Sequence, residues 1–518
     1  MRLNFQTVGT VNRPRPCYVQ KAVVSGSGEF WRAYKTNPAL KQLVNIRRET
    51  VGGKTQTVVY RYVAVDRKSY VPAPMVPLTD KSKLYPYQIR PAMQIVQALT
   101  KHGAALDMSD TGIGKTYQSL AAVREMKCNP AIICRKSGIP GWKRACAHLD
   151  MKPVFIINWE RIRTGNTPYL KRHNKRFSWA LPRGTILVFD EAHMANNYRS
   201  LNSNLYMDSH GIPSVSLSAT MADSLPRLQP LLHVLGVVDR FDFMDWAYAQ
   251  GCFKGAYKPL ESLDDEYDML RMHETLIPAY GCRVRYDDPD VKSMFPDQLV
   301  STRLIDIGRN AAVQNREYAE MLAKAEEYKA KGETAEALTA NLRYRQHSEY
   351  IKAEPLAQLA EEYLSDGMSV CVFVNFHDTL TYLARRLKTR SLIYGGQDAQ
   401  GIPREKVIQA FQANRTNLVV VSSEAGGQSI DLHDTHGGHP RVALVCPTYN
   451  PYTLKQVLGR TKRAGGKSAS SVQLCYADST IEEDVAASVN GKLATISALN
   501  DGDLMEKDAF NLFKGVSQ

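Results

Sequence analysis

The chain has 518 residues, of which 44% are apolar and 23% are charged, and this length predicts roughly two to four domains. No apolar run reaches the roughly 20 residues that cross a bilayer, and the N-terminus lacks a signal-peptide core, so no membrane partner is expected. The nine cysteines are scattered without a C-x-x-C pair, which indicates free thiols in a reducing, cytoplasmic environment. The formal charge of +14 favours a polyanionic partner.

Residues 1–75 form a basic segment with a strand-like pattern. Thirteen Lys and Arg stand against four acids in residues 1–80. Short alternating runs predict a small β-rich module with one helix near residues 36–46, and the Pro-rich residues 71–77 predict a linker. Aromatic residues interspersed with lysine and arginine are typical of surfaces on which nucleic-acid bases stack. The same aromatic residues would also form the core of a small β module, so both roles stay open.

The remainder of the chain, from about residue 84, alternates helical patterns with continuous apolar runs, which is the pattern of buried parallel strands. This predicts an α/β fold with two parallel-sheet lobes, at residues 76–240 and 351–500. A helical segment over 241–350 joins them, and residues 501–518 form a tail. The strand-like runs are 130–134, 154–157, 185–189, 215–217, 370–374, 418–421 and 441–445.

Residues 109–116, with the sequence SDTGIGKT, are a candidate phosphate-binding loop. Gly112 and Gly114 let the backbone turn tightly, so that successive N–H groups surround a phosphate, and the following helix adds its N-terminal dipole. Lys115 then reaches the β- and γ-phosphates of ATP, and Thr116 binds Mg²⁺. Serine replaces the first glycine of the strict pattern, so these residues alone also fit a Gly-rich turn before a helix.

Two adjacent acids, Asp190 and Glu191, end an apolar strand later in the first lobe. Open α/β sheets bind their ligands at this end of their strands. Asp190 is predicted to bind Mg²⁺, and Glu191 is predicted to polarise the water that attacks ATP. Together with the phosphate loop, the pair predicts an ATP-hydrolysing site instead of two unrelated turns.

The motifs and their order resemble those of superfamily-two helicases with a DEAH box, and most of all the Swi/Snf-type DNA-dependent ATPases and translocases. The similarity covers roughly residues 84–492. It implies two RecA-like lobes that bind ATP and Mg²⁺ and move along nucleic acid, with DNA as the expected track. The short segment between the lobes argues against a nucleosome substrate and suits a phage or mobile-element protein.

The resemblance assigns roles to several residues of the first lobe. Gln88 is implied to contact the adenine base, and Arg135, Lys136 and Trp142 are implied to contact the tracked strand. Residues 217–220, with the sequence LSAT, resemble the motif that couples hydrolysis to lobe movement.

A signature that Swi/Snf-type proteins carry between their lobes is echoed by residues 283–285 (RVR) and by Phe-Pro at 295–296. In the second lobe, residues 422–432 resemble the loop that senses nucleic acid and ATP. The implied nucleic-acid contacts of this loop are Ser423, Gly426 and Gly427. Its Ser429 and Asp431 stand where the family usually has Gly and Asn.

Residues 456–463 resemble the arginine-finger motif, which implies a nucleotide contact for Gln456 and catalytic roles for Arg460 and Arg463. A guanidinium supplied from outside the phosphate loop stabilises the charge that develops on the γ-phosphate during transfer. If these arginines belong to the second lobe, hydrolysis requires the lobes to close. Residues 480–483, with the sequence TIEE, match the closing signature of the family.

A second basic stretch lies within residues 131–185, where twelve Lys and Arg stand against two acids. Its densest run is KRHNKR at residues 171–176, which is predicted to contact phosphates. A localisation signal and a solvated loop are the alternatives.

Three functions compete for this sequence. The first is an ATP-dependent DNA helicase or translocase acting in replication, recombination or repair, and the second is a DEAH-type RNA helicase. The third is a scaffold that kept the fold but lost turnover, which the intact Lys115, Asp190, Glu191 and Arg463 argue against. ATPase stimulation by DNA or RNA distinguishes the first two.

Overall fold

The computed structural model describes the backbone of four strands within residues 6–64 and most of residues 77–482. Within the second range, the positions not described are 241, 244–245, 247–265, 287, 332, 398–400, 427–429, 449, 479 and 481. The described residues divide into two compact units. The first takes its residues from Met1–Ser109 and Lys115–Val284, and the second from Asp110–Gly114 and Arg285–Leu493.

The N-terminal residues form a four-stranded antiparallel sheet with the strand order β1-β2-β4-β3. Its strands are β1 (Gln6–Asn12), β2 (Pro16–Val23), β3 (Asn45–Val51) and β4 (Lys54–Ala64). The predicted β-rich character is therefore confirmed for these strands. The helix predicted near 36–46 lies outside the described residues except at its last two positions, which begin β3.

The first unit contains a six-stranded parallel sheet with the order β12-β5-β11-β10-β6-β7. Its four predicted strands are confirmed, whereas β5 and β12 had no counterpart in the prediction. A separate antiparallel hairpin, β8–β9, follows β7. The strands of this unit are β5 (Ala104–Asp107), β6 (Asn129–Cys134), β7 (Phe155–Asn158), β8 (Leu170–His173), β9 (Arg176–Trp179), β10 (Thr185–Asp190), β11 (Ser214–Leu217) and β12 (Gly281–Cys282).

Apolar side chains cover both faces of this sheet. Along β10, for example, Leu187 packs into one apolar cluster and Val188 into the other, which is why the strand reads as a continuous apolar run. Helices complete the two layers. They are α1 (Pro86–His102), α2 (Lys115–Glu125), α3 (Ile139–His148), α4 (Trp159–Ile162), α5 (Leu201–Met207), α6 (Gln229–Val234) and α7 (Glu266–Tyr280).

The second unit contains another six-stranded parallel sheet, with the order β13-β18-β17-β14-β16-β15. All three strands predicted here are confirmed. Its strands are β13 (Gln298–Ile305), β14 (Ser369–Val374), β15 (Leu392–Ile393), β16 (Leu418–Ser422), β17 (Arg441–Val445) and β18 (Ser470–Ala477). Its helices are α8 (Pro289–Lys292), α9 (Asn310–Ala330), α10 (Thr334–Ile351), α11 (Ala353–Ser365), α12 (His377–Arg386), α13 (Arg404–Gln412), α14 (Ser423–Gly426) and α15 (Pro451–Leu458).

The segment predicted to be helical over 241–350 differs from the prediction. It contains the long helices α9 and α10, but also β12 in the first sheet and β13 in the second. The two residues of β12 are too few to give a pattern, and β13 lies at a sheet edge, where its sequence QLVSTRLI mixes polar with apolar residues. The predicted domain boundaries stay predictions, but this segment supplies strands to both sheets.

Neither a membrane helix nor a disulfide is found among the residues that the structure describes. No helix there is long and apolar enough to cross a bilayer. The described cysteines are free thiols, and all but Cys128 are buried. Burial raises the pKa of the Cys146 thiol to about 11, so this side chain is a protonated packing residue.

A buried ion pair ties the last described residues of the second unit to its helices. Lys352 lies between α10 and α11, is 1% exposed, and its Nζ lies 2.6 Å from Glu482 Oε2. The Glu482 carboxylate also accepts hydrogen bonds from Ser348 Oγ at 2.7 Å and from the Ala477 backbone N–H at 2.8 Å. The first glutamate of the TIEE signature therefore connects the end of β18 to the α10–α11 junction.

We expect Glu482→Ala to lower the midpoint of thermal unfolding of the second unit, because it leaves Lys352 buried without a counter-charge. Removing one partner of a buried pair costs roughly 3–5 kcal/mol. The double variant Lys352→Met/Glu482→Ala should lose less than the two single losses added together. Glu327→Ala, which breaks the exposed pair with Lys331, is the control and should change the midpoint little. A small effect of Glu482→Ala would contradict the structural role.

Candidate active site

The first unit holds both ends of the candidate phosphate loop, at the end of β5 and the start of α2. Lys115 Nζ donates to the Ser109 carbonyl at 2.8 Å. The Ser109 N–H donates to Asp107 Oδ1 at 2.9 Å, and Ser109 Oγ accepts from the Val284 N–H at 3.0 Å. Serine in place of the first glycine is therefore accommodated: its φ is not positive, and its hydroxyl accepts a hydrogen bond.

Asp107 is a residue that the sequence analysis missed. It is 0% exposed, and its Oδ2 has no hydrogen-bond partner among the described residues. Burial raises its pKa, and the charge of Lys115 partly offsets that rise. Because Asp107 orients Ser109, it also fixes the carbonyl that Lys115 contacts. The only sequence signal was a lone acid at the end of a short apolar strand.

Residues 110–114 of the loop belong to the second unit. Gly112 and Gly114 have φ values of +84° and +101°, which favour glycine. A Cβ atom on Gly112 would also meet the guanidinium of Arg463, so a side chain there would displace Arg463. Tyr286 holds the same residues, because its N–H donates to Asp110 Oδ2 at 3.1 Å and its hydroxyl donates to the Thr111 carbonyl.

The two predicted catalytic acids lie side by side at the end of β10, in the first unit. Glu191 has a φ of +53°, an uncommon conformation for a residue with a side chain and one that clusters at functional sites. Burial raises the pKa of Asp190 to about 6, and the charge of Glu191 adds to the rise. Burial acts on Glu191 too, but the hydrogen bond and charge of His193 outweigh it and lower the Glu191 pKa to about 2. Both acids are therefore mostly ionised at neutral pH, and Glu191 stays ionised to a lower pH than Asp190.

His193 connects the acids to the motif at residues 217–220. Its Nδ1 lies 3.2 Å from Glu191 Oε2 and 3.0 Å from Ser218 Oγ. On its other side, Nε2 lies 3.5 Å from Arg135 Nη2. The predicted coupling motif therefore contacts the acid pair through one imidazole, and Arg135 faces that imidazole.

The residues predicted to contact nucleic acid differ in their exposure to solvent. Lys136 is exposed, but Trp142 and Ser423 are each 2% exposed, so neither side chain presents a surface to a nucleic acid in this conformation. Gly426 ends α14. Gly427 lies outside the described residues. These contacts stay predictions.

Trp142 instead supports the acid pair. Its indole Nε1–H donates to Asp190 Oδ2 at 2.8 Å, and the ring packs in the apolar cluster beneath α3. Trp159 Nε1 donates to the Asp190 backbone carbonyl at 3.0 Å. The resemblance implied a contact with the tracked strand for Trp142, and the structure shows that α3 turns this side chain inward.

Gln88, Thr116 and Gln456, the other predicted contacts of the nucleotide and its metal ion, all lie on helices and are wholly or partly buried. Gln88 is 3% exposed, and its Oε1 accepts from the Tyr85 N–H at 3.0 Å, which caps α1. Thr116 is the second residue of α2 and is partly buried. Gln456 lies on α15 and is 4% exposed. Their contacts with ATP and Mg²⁺ stay predictions.

The two candidate arginine fingers have different surroundings in the second unit. Arg460 is 3% exposed, and its Nη1 donates to the Ile430 carbonyl at 3.0 Å. Arg463 Nε donates to Asp431 Oδ1 at 2.5 Å, and its Nη1 lies 3.4 Å from the Thr111 carbonyl. Arg463 is therefore the arginine whose described contacts include the phosphate loop.

Comparison with known proteins agrees with this geometry. The family described as "Helicase conserved C-terminal domain" matches residues 352–465. "Putative ATP-dependent RNA helicase" of Acanthamoeba polyphaga mimivirus is 31% identical over 459 residues, which cover 82% of this chain and 84% of that protein. The chain belongs to the ATP-dependent helicases. This helicase is a nucleic-acid-dependent ATPase.

Other similar proteins are more distant. The human "SWI/SNF-related matrix-associated actin-dependent regulator of chromatin subfamily A member 1" is 24% identical over 567 residues. The match covers 97% of this helicase but 50% of that protein, so the chain spans about half its length. Among solved structures, the "SWI2/SNF2 ATPase core in complex with dsDNA" from Sulfolobus solfataricus is similar, with 14% identity and a TM-score of 0.34. The structural match covers 78% of this helicase and 90% of the Sulfolobus chain.

We expect Trp142→Phe to lower the turnover number for ATP hydrolysis by about tenfold, since it removes a hydrogen bond to a charged group while keeping an aromatic ring. Nucleic-acid affinity should stay the same. Trp179→Phe is the matched control, because the Trp179 Nε1 has no hydrogen-bond partner among the described residues. Steady-state ATPase assays and binding titrations measure both effects. Weakened nucleic-acid binding with full turnover would instead support the contact predicted from the sequence.

Proposed function

We propose that this helicase is an ATP-dependent translocase that moves along DNA in the cytoplasm and serves replication, recombination or repair. The observation that carries the proposal is the position of the Swi/Snf-like residues 283–285 and of Tyr286, which follows them. Within the first unit, Arg283 Nη1 donates to the Met108 carbonyl at 2.9 Å, and the Val284 N–H reaches Ser109. Within the second unit, Tyr286 contacts Asp110. The part of the sequence most typical of DNA-dependent ATPases thus contacts the phosphate loop.

An RNA track is the second candidate, because the mimiviral relative is named as an RNA helicase. The Swi/Snf-like segments at residues 283–296 and 422–432 favour DNA. The relatives therefore favour different tracks, and a direct comparison of DNA with RNA decides between them.

Each step of hydrolysis has a residue of suitable chemistry. Lys115 is a cation at the loop, placed to bind the β- and γ-phosphates. Glu191, with its pKa of about 2, is ionised and orients the attacking water. Gln88 is our candidate for the adenine contact, and Gln456 for a second nucleotide contact.

The side chains of Thr116 and Asp190 fit a magnesium ion. Hydroxyl and carboxylate oxygens are ligands that Mg²⁺ accepts, and the ion keeps several waters. Asp190 has a raised pKa because it is buried beside Glu191, and a divalent cation would relieve that repulsion. Bound Mg²⁺ supplies positive charge that neutralises the phosphates during transfer.

We assign the arginine finger to Arg463. Its guanidinium is planar and always charged, which suits the equatorial oxygens of a γ-phosphate in transfer. Arg460, whose Nη1 donates to the Ile430 carbonyl, is assigned to shaping the loop that precedes Asp431. Turnover would then depend on the approach of the second lobe to the nucleotide, and this coupling would produce movement along the track.

The β8–β9 hairpin is our candidate for a phosphate-contacting element on the first lobe. The run at residues 171–176 is exposed along its length. The hairpin is anchored by the buried Leu170 and Phe177, and the Phe177 N–H donates to Asp208 Oδ2 at 2.9 Å. Lysine and arginine side chains on an anchored hairpin lose little backbone conformational freedom when they bind the phosphates of a nucleic acid.

The ATPase activation profile tests the proposed track. We expect duplex DNA to stimulate hydrolysis by this helicase more than single-stranded DNA or RNA of the same sequence. Lys115→Ala should reduce turnover far below one-tenth of the wild-type rate with every nucleic acid, since the phosphate-directed cation is lost. Stronger stimulation by RNA would reject the DNA assignment but leave the ATPase intact. Near-normal turnover of Lys115→Ala would reject the phosphate loop itself.

Salt dependence tests the hairpin. The variant Lys171→Gln/Arg172→Gln/Lys175→Gln should weaken duplex binding and reduce the slope of log affinity against log salt by about 2–3, since each lost phosphate contact removes roughly 0.9. The control Lys101→Gln/Lys152→Gln/Lys406→Gln removes the same charge from exposed positions elsewhere. ATP hydrolysis without nucleic acid should not change in either variant. Equal slopes for the two triple variants would show that only net charge matters.

A further inference from the structure

Asp431 stands where the resemblance to Swi/Snf-type proteins implies an asparagine, and its carboxylate lies against the proposed arginine finger. Arg463 Nε donates to Asp431 Oδ1 at 2.5 Å. Both residues belong to the second unit, where Asp431 follows α14 and Arg463 follows α15. A charged acceptor thus occupies the place of a neutral one.

The contact leaves Nη1 of the guanidinium facing the phosphate loop. A guanidinium is planar, so an acceptor that fixes Nε also fixes the direction of the two Nη groups. Nη1 accordingly lies 3.4 Å from the Thr111 carbonyl and also donates to the Gly459 and Lys462 carbonyls. Its closeness to Gly112 shows that no side chain separates it from the loop backbone.

The electrostatics favour a permanent ion pair at this site. The Arg463 side chain is 8% exposed and the Asp431 side chain is 50% exposed. Partial burial works against ionisation of Asp431, but the neighbouring Arg463 charge lowers the pKa of Asp431 overall. Burial likewise opposes the Arg463 charge, but Asp431 raises the Arg463 pKa overall. Asp431 therefore holds Arg463 as a carboxylate throughout the physiological pH range.

We propose that Asp431 is a positioning residue for Arg463, which holds the guanidinium on the phosphate loop before a nucleotide arrives. The inference rests on the proposed role of Arg463 as the arginine finger. A buried, flexible arginine would otherwise have to be ordered during the reaction, and ordering a long side chain costs free energy. Asn at this position would still accept the Nε–H bond, but without the charge that strengthens it.

The proposal predicts how four variants of the full chain hydrolyse ATP with nucleic acid bound. Asp431→Ala should lower kcat on the order of 10- to 100-fold, which is the effect of losing one hydrogen bond to a charged group, with KM for ATP little changed. Asp431→Asn should recover part of the loss. Arg463→Ala should lower kcat on the order of 10³-fold or more. The double variant Asp431→Ala/Arg463→Ala should be no slower than Arg463→Ala, because Asp431 acts through Arg463.

Several results would overturn the proposal and would be distinguishable from failure of the proposed function. Full turnover of Asp431→Ala would show that Arg463 needs no support. Losses that multiply in the double variant would mean that Asp431 acts independently, for example on the nucleic acid. If Arg463→Ala itself keeps full turnover, the arginine-finger assignment fails instead. Thermal unfolding and ATP binding check folding, with Asp366→Asn as the control at an exposed acid. If Asp431→Ala does not fold, Asp431→Asn is tested instead. Full turnover of Asp431→Asn would then reject the proposal that the carboxylate charge of Asp431 positions Arg463.

Discussion

The register of three parallel strands in the first sheet is the constraint on which the site depends. Strand β11 lies between β5 and β10, and Leu217 is paired with Asp107 on one side and with Asp190 on the other. Three chain segments that are far apart in sequence therefore leave the sheet from a single row at its carboxyl edge. The phosphate loop, the acid pair and the coupling motif meet because the strands before them end together.

This convergence concentrates negative charge in a poorly solvated place. Asp107, Asp190 and Glu191 all lie there, and burial acts to raise the pKa of each. Each is offset by a different donor: the Ser109 backbone, the Trp142 indole and the His193 ring. Such an arrangement is costly for an empty site, but it becomes favourable once a cation occupies it. The candidate site thus shares a property with known catalytic sites, in which buried charged groups lower the stability of the fold but are held in a fixed orientation.

Sequence patterns predicted the elements that are determined by residues close together in the sequence. Continuous β-branched runs located the central strands, since both faces of those strands are buried, and the glycines near Lys115 located a turn that needs positive φ. Long-range contacts left no such local signal. The resemblance implied a contact of Trp142 with the tracked strand, and the structure shows that α3 also buries this side chain against an acid that lies 48 positions further along the chain.

Short edge elements were missed for a related reason. The two residues of β12 join the first sheet only through their pairing with Leu106 and Asp107, and no local periodicity marks two residues. Tyr286, four positions beyond β12, gave no signal of its own either. Its contact with Asp110 depends on the path of the segment that the Swi/Snf-like signature occupies.

In the second unit, the loop that resembles the family's nucleic-acid- and ATP-sensing loop lies directly against Arg460 and Arg463. Consecutive residues, Ile430 and Asp431, accept hydrogen bonds from Arg460 and Arg463 respectively, and the Leu432 N–H donates to the Arg460 carbonyl at 2.9 Å. A displacement of this loop cannot leave both arginines in place, because each is tied to it by a separate bond. A nucleic acid that displaces the loop on binding would therefore displace Arg463, the proposed arginine finger, through these direct hydrogen bonds alone. Coupling through so few bonds favours a discrete change between two arrangements over a gradual adjustment, since a hydrogen bond weakens steeply once its donor and acceptor separate or lose alignment.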